Sequence, residues 1–324
     1  MSLAVFVTRH GDAEVLEVRE QTLPAPGAQQ VRVRVLCAGV NFIDTYFRSG
    51  AYPRPAPFVS GFEGAGLVEQ VGEGVSDLQP GTLVAWSSVA GSYAEQVNAP
   101  AALLVRVPAG VEAELAAAAM LQGMTAHYLV HGVRATAPGD VALVHAAAGG
   151  TGQLLVQLLK QAGARVIGTC GSEEKERLAR AAGADEVIRY DDADFAAEAK
   201  RLTAGRGVDV AYDSVGRSTF DGSLASVRPR GLVVLFGQAS GAVPPVDLQR
   251  LSAAGSVFVT RPTLAHYTAT RAELELRANA VLSAVAAGSL RVRISHRFPL
   301  AEAAAAHRAL EGRQSTGKIM LTIG

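Results

Sequence analysis

The segment from 141 to 162 limits the fold more than any other stretch of the chain. Val141-Ala142-Leu143-Val144-His145 is a short apolar run, the pattern of a strand covered on both faces. It leads directly into Ala146-Ala147-Ala148-Gly149-Gly150-Thr151-Gly152, and a helix-periodic stretch over 153–162 follows at once. A buried strand, a glycine-rich turn and a helix open a βαβ unit. The rhythm then repeats, with strands predicted over 165–168, 186–188, 208–212 and 232–236 and helices over 173–182, 195–203 and 220–227. Alternation at that spacing requires parallel strands joined by crossover helices. Residues 122–261 are therefore read as a doubly wound parallel-sheet domain, and the chain as α/β.

At 324 residues the chain exceeds what one hydrophobic core organises, so a second domain is expected. Residues 1–121 read as mainly β. Val31-Arg32-Val33-Arg34-Val35 alternates with period two, and 64–71, Gly72-Glu73-Gly74 and 80–84 read as strand, turn and strand. The tail, 262–324, carries a long helix over 271–287 and a closing strand over 319–323. It is too short to stand alone and is expected to pack back on the β half. A hydrophobic share of 49% excludes wholesale disorder, and 30 basic against 30 acidic residues argue against a nucleic-acid or membrane-surface binder. Two cysteines, Cys37 and Cys170, are too few for a disulfide scaffold or a cysteine-rich zinc site. No run approaches the roughly 18 to 20 apolar residues of a membrane helix, and the N-terminus lacks a cleavage site. A cytoplasmic protein is expected.

The turn Ala146-x-x-Gly149-x-x-Gly152 suits a pyrophosphate, because backbone N–H groups meet it at the positive end of the helix dipole. Glycine-rich turns also simply end strands, but the strand before and the βα units behind favour dinucleotide binding. The end of the second strand decides between NAD and NADP. A carboxylate there would bind a ribose 2′-hydroxyl; this chain has Thr169-Cys170-Gly171-Ser172. Ser172 and Lys175 at a helix start could hold a 2′-phosphate, which favours NADPH. Glu173 and Glu174 count against a dianion, and a plain solvated helix start is the alternative.

Other chemistry lacks its residues. The seven histidines are scattered; His127 and His131 have helical spacing but no carboxylate partner, and read as a packing or surface pair. No nucleophile elbow is present. Hydride transfer needs neither a metal nor a nucleophile.

The block Gly39-Val40-Asn41-Phe42-Ile43-Asp44-Thr45-Tyr46-Phe47-Arg48-Ser49-Gly50-x-Tyr52-Pro53 resembles the signature of the zinc-free quinone oxidoreductases of the medium-chain dehydrogenase/reductase superfamily. So do His145-Ala146-Ala147-Ala148-Gly149-Gly150, Tyr212-Asp213-Ser214-Val215-Gly216-Arg217 and Val259-Thr260-Arg261-Pro262. The resemblance spans essentially the whole chain. It places Asn41, Phe62 and Gln122 where zinc-dependent members carry ligands, so it implies no metal. It implies a GroES-like catalytic domain, 1–121 with 262–324, beside the Rossmann domain, with the active site in the cleft.

By the same resemblance NADPH would be held by Asn41, Phe42, Ile43, Asp44, Thr125, Tyr128, Gly149, Gly150, Thr151, Gly152, Gly171, Ser172 and Lys175. Tyr190 would stack near the adenosine end, and Arg313 would reach the 2′-phosphate. Ser214, Val215, Phe236, Gly237, Gln238, Val259, Thr260 and Arg261 would line the nicotinamide side. For catalysis Asn41, Tyr46 and Tyr52 stand out, since a hydrogen bond to a quinone oxygen stabilises charge arriving with the hydride. Either tyrosine could instead be packing, and Asn41 suits positioning better than catalysis. Glu63 reads as structural and Trp86 as core. The strand at 257–259 resembles the edge that pairs in the family's homodimers; a covered edge in a monomer is the alternative. Reduction of α,β-unsaturated carbonyls competes with quinone reduction. An NADPH-binding crystallin or RNA-binding protein is a third reading, which the even charge disfavours.

Overall fold

The computed structural model describes residues 1–313 and 315–324. The chain divides into two units, Met1–Met124 with Thr268–Gly324, and Thr125–Tyr267.

In the first unit the alternation at 31–35 becomes a strand, Gln30–Val40, whose Val31, Val33 and Val35 are buried. This strand is the hub of a seven-stranded sheet. Glu63–Val71, Gln96–Pro100 and Lys318–Thr322 all pair with it antiparallel. Ile294–Pro299 joins Lys318–Thr322 in parallel, and Leu83–Trp86 and Val105–Arg106 extend the sheet beyond Glu63–Val71. A second sheet holds Leu16–Gln21, Ser2–Val7 and Phe58–Val59. The tail enters the core as well as the sheet: Leu300, Leu310, Ile319 and Leu321 share one apolar cluster with Val31, Val33, Trp86 and Tyr93. Trp86 is fully buried, its Nε1 donating to Ser92 Oγ at 2.8 Å.

The second unit is built on a six-stranded, wholly parallel sheet. Its order is Glu186–Arg189, Arg165–Cys170, Val141–Val144, Val208–Asp213, Val227–Leu235, Phe258–Thr260. Numbered by occurrence this is 3-2-1-4-5-6, the dinucleotide-binding order. The winding reverses between Val141–Val144 and Val208–Asp213, and ligands of such sheets bind at that point, outside the carboxyl ends of the strands. The helix after the first strand is Gly150–Gln161. Apolar periodicity begins only at Gln153, but three residues of the glycine turn already form the first helical turn. Among the described residues no helix is long and apolar enough to cross a membrane.

Candidate active site

The glycine turn lies at the winding reversal. Gly149 caps the helix Gly150–Gln161 without a side-chain bond, so the first-turn N–H groups of Gly150, Thr151 and Gly152 lack intrahelical acceptors. A Cβ on Gly152 would overlap Ala146 O and the backbone of Ala147, which makes this a cradle only glycine leaves open. The residues present fit a dinucleotide pyrophosphate.

At the end of the second strand Ser172 caps the helix Glu173–Ala181, its Oγ accepting from Lys175 N at 3.3 Å. Among the described residues this hydroxyl donates to no acceptor, which suits an anion. Of the three first-turn glutamates, Glu176 is paired with Arg180 at 2.9 Å, while Glu173 and Glu174 stay exposed. Tyr190 lies directly after the third strand, and its hydroxyl packs so near Gly171 that a Cβ there would come within 2.6 Å.

Beyond the reversal, Asp213 ties two loops together. Its Oδ1 accepts from Val215 N at 2.8 Å and Gly216 N at 3.0 Å, and its backbone O accepts from Phe236 N at 2.8 Å. Ala239 N donates to Ser214 O, and only a glycine at 237 lets the two loops approach. Ser214, Val215, Phe236, Gly237 and Gln238 thus form one surface. Asp213 Oδ2 also accepts from Ser223 Oγ, whose oxygen is 3.0 Å from His145 Nε2; His145 Nδ1 is 2.9 Å from Thr169 Oγ1. Burial lowers the His145 pKa, against the pull of Asp213. This imidazole joins the ends of the first two strands to the helix Phe220–Ser226. Sequence reasoning missed it, because His145 reads as one more residue of an apolar strand.

Val259 and Thr260 lie in the outermost strand, Phe258–Thr260, and Arg261 follows it directly. Thr125 and Tyr128 lie at the end of the helix Ala113–Tyr128, where the Tyr128 ring is buried and stacked on Tyr267 at 4.4 Å. His127 and His131 have rings 4.7 Å apart. Among the described residues no group of three or more His, Cys, Asp or Glu could hold a metal ion.

In the first unit Asn41, Phe42, Ile43 and Asp44 begin the helix Phe42–Ser49, with Asn41 as N-cap. The Asn41 amide is turned inward. Its Oδ1 accepts from Lys318 Nζ at 2.7 Å and its Nδ2 donates to Glu63 Oε2 at 2.7 Å. Lys318 and Glu63, both fully buried, also pair directly, and Glu63 Oε1 accepts from Leu121 N at 2.6 Å. A buried ammonium here repels a dication, and Asn41 and Gln122 are weak ligands, so these residues do not fit zinc. Glu63 and Lys318 therefore belong to the site's support, and Asn41 holds position rather than offering its amide outward.

A second buried chain starts at Asp44. Its Oδ2 accepts from Asn41 N at 2.8 Å and Tyr93 Oη at 2.9 Å, while Oδ1 has no partner among the described residues. Burial raises the Asp44 pKa to about 7 against these two donors. Tyr93 Oη is 3.3 Å from His307 Nε2, and His307 Nδ1 is 3.1 Å from Arg48, which is paired with Glu311. Burial, with Arg48 beside it, pushes His307 down to about 3.

Tyr46 sits on the helix Phe42–Ser49, and Tyr52 in the loop after its left-handed C-cap Gly50. The structure brings them together, rings 5.3 Å apart and both half-buried, with Tyr52 N donating to Tyr46 O. Arg313 is exposed after the helix Ala303–Glu311.

Comparison with known proteins agrees with this architecture. Residues 27–109 match the alcohol dehydrogenase GroES-like domain, and residues 150–274 the zinc-binding dehydrogenase family. The chain is 44% identical to a quinone oxidoreductase of Pseudomonas aeruginosa over 99% of both chains, and 41% identical to a 2-haloacrylate reductase of a Burkholderia species, also over 99% of both. It superposes on an Escherichia coli quinone oxidoreductase complexed with NADPH with a TM-score of 0.97, at 40% identity and 99% coverage of each chain. Glycine turn, inward Asn41 and full-length likeness together make this chain a member of the quinone oxidoreductase family of the medium-chain dehydrogenase/reductase superfamily.

Proposed function

We propose that the chain is an NADPH:quinone oxidoreductase. NADPH supplies a hydride when bound, and with one proton from solvent a quinone becomes a hydroquinone. The observation that carries this reading is the open glycine cradle at the reversal of a 3-2-1-4-5-6 sheet, in a chain so similar to quinone oxidoreductases. Gly150, Thr151 and Gly152 offer N–H groups to the pyrophosphate. Ser172, Lys175 and Arg313 take the 2′-phosphate, and Tyr190 covers the adenosine end. Asp213 fixes the loops that carry Ser214, Val215, Phe236, Gly237 and Gln238 against the nicotinamide. Tyr46 and Tyr52 donate to the quinone oxygen as charge develops there. Asn41, held by Lys318 and Glu63, sets the start of the helix that bears Tyr46. Oxidation of NADPH by a simple quinone tests the reading, and no oxidation with any quinone overturns it.

The likeness to a 2-haloacrylate reductase favours a second reading, in which the acceptor is a conjugated carbonyl compound reduced at its C=C bond. Side-by-side rates on a quinone and an enone separate the two. In either reading the enzyme works in the cytoplasm, 122–261 carries the cofactor, and two copies pair through the strand Phe258–Thr260.

A further inference from the structure

Arg54 stands two residues after Tyr52, in a loop punctuated by Pro53, Pro55 and Pro57. Its guanidinium carbon lies 4.4 Å from the centroid of the Phe58 ring and 5.6 Å from that of Phe62. The side chain is half-buried, yet no carboxylate pairs with it and no acceptor bonds to it among the described residues. Burial alone shifts its pKa, downward. Other sheltered arginines are treated differently. Arg48 is paired with Glu311 at 2.7 Å and Arg165 with Glu186 at 2.6 Å. A charge drawn partly out of water without a counter-ion is a cost that the fold recovers nowhere else, and aromatic faces compensate it only in part.

The aromatic surface around Arg54 is continuous with the two tyrosines. Phe62 is 4.9 Å from Phe47, Phe47 is 5.6 Å from Tyr52, and Tyr52 is 5.3 Å from Tyr46, between ring centroids. Flat apolar rings, two phenols and one unpaired fork of N–H donors make a surface for a planar molecule with an acidic substituent.

We propose that Arg54 is a specificity-determining residue that selects acceptors carrying a carboxylate or sulfonate on a planar conjugated frame. The inference rests on the reading that Tyr46 and Tyr52 face the acceptor. Neutral acceptors use the same rings without the guanidinium.

The test compares a sulfonated naphthoquinone with its unsulfonated parent, in the wild type, Arg54→Gln and Arg54→Lys. Arg54→Gln should raise KM for the sulfonated quinone about tenfold to a hundredfold, the range of a charge-assisted hydrogen-bonded contact. KM for the neutral parent and for NADPH should stay within about twofold. Arg54→Lys should recover part of the loss, because it keeps the charge without the fork. Equal losses on both quinones would make Arg54 a packing residue, and a rise in the NADPH KM alone would assign it to a cofactor phosphate; either result overturns the proposal. Calorimetric titration with naphthalenesulfonate, which cannot be reduced by hydride, reads the site without turnover. Saturable binding that Arg54→Gln weakens at least about tenfold supports the proposal; absent or unaltered binding overturns it. Turnover of the neutral quinone alone, with no Arg54 dependence on either probe, would sink this inference and leave quinone reduction standing.

Discussion

Lys318 is fully buried in the first unit, against Asn41 and Glu63. A fully buried ammonium persists only because Glu63 and Asn41 both face it. Glu63→Gln keeps the shape and removes the anion, so it should cost about 3–5 kcal/mol of stability, read as a lower urea midpoint. Adding Lys318→Met should restore most of that loss; an unchanged midpoint in the single variant would mean the charge is compensated elsewhere. Asn41 was read as a site residue from the chain, but Lys318 and Glu63 were not, since they stand 255 positions apart. Only the pairing of Lys318–Thr322 with Gln30–Val40, Ile319 opposite Val40, brings them together. The glycine turn was legible for the opposite reason, because a strand–turn–helix junction is local and places its glycines at fixed offsets. Lys175 is local in the same way. Lys175→Ala should raise KM for NADPH about tenfold while NADH is unaffected, since only the former carries the 2′-phosphate. Equal changes for the two cofactors in steady-state assays would remove Lys175 from phosphate recognition.

Two helices from opposite ends of the chain, Phe42–Ser49 and Ala303–Glu311, are joined through the buried line Asp44, Tyr93, His307 and Arg48. Two groups of that line titrate in opposite senses. Asp44 is raised from 3.8 to about 7, so within that window the folded state holds the extra proton and stability falls as pH rises. His307 is lowered from 6.5 to about 3, so there the unfolded state holds the extra proton and stability rises with pH. From about pH 4 to 6.5 the two slopes oppose each other and the wild type should vary little on their account. Asp44→Asn leaves the His307 slope, and its stability should climb with pH across that range. His307→Gln leaves the Asp44 slope, and its stability should fall. Urea unfolding at several pH values checks this, and parallel profiles for the two variants would contradict it. The helix over 42–49 shows where an element's type was hard to read. Tyr46 follows an N-cap asparagine and precedes a left-handed Gly50, ordinary helix punctuation. In a half of the chain that reads as mainly β, this short helix was not predicted.

At the scale of the whole molecule, the division into a β half, an inserted parallel-sheet block and a returning tail was visible because period-two and period-3.6 patterns occupy different stretches of sequence. How the open sheet is finished was not visible, since an edge is a property of strand order. The two edges differ. Glu186–Arg189 is fringed by charge, with Glu186 paired to Arg165 and Arg189 to Asp192. Phe258–Thr260 instead leaves Phe258 64% exposed and Val259 38% exposed, and among the described residues no strand pairs with its outer side. An apolar edge of this kind invites uncontrolled strand addition unless something covers it. A second copy related by a two-fold axis would cover it with the same strand and close the assembly at two. Sedimentation equilibrium of the wild type should therefore give a dimer at micromolar concentration. Phe258→Lys, which places a charge in the pairing edge, should shift the protein to monomer. The glycine cradle and its helix lie inside one copy, so the monomeric variant should keep its NADPH affinity within about threefold. A monomeric wild type would show that this edge is tolerated bare. A dimer that Phe258→Lys leaves intact would move the interface elsewhere on the chain.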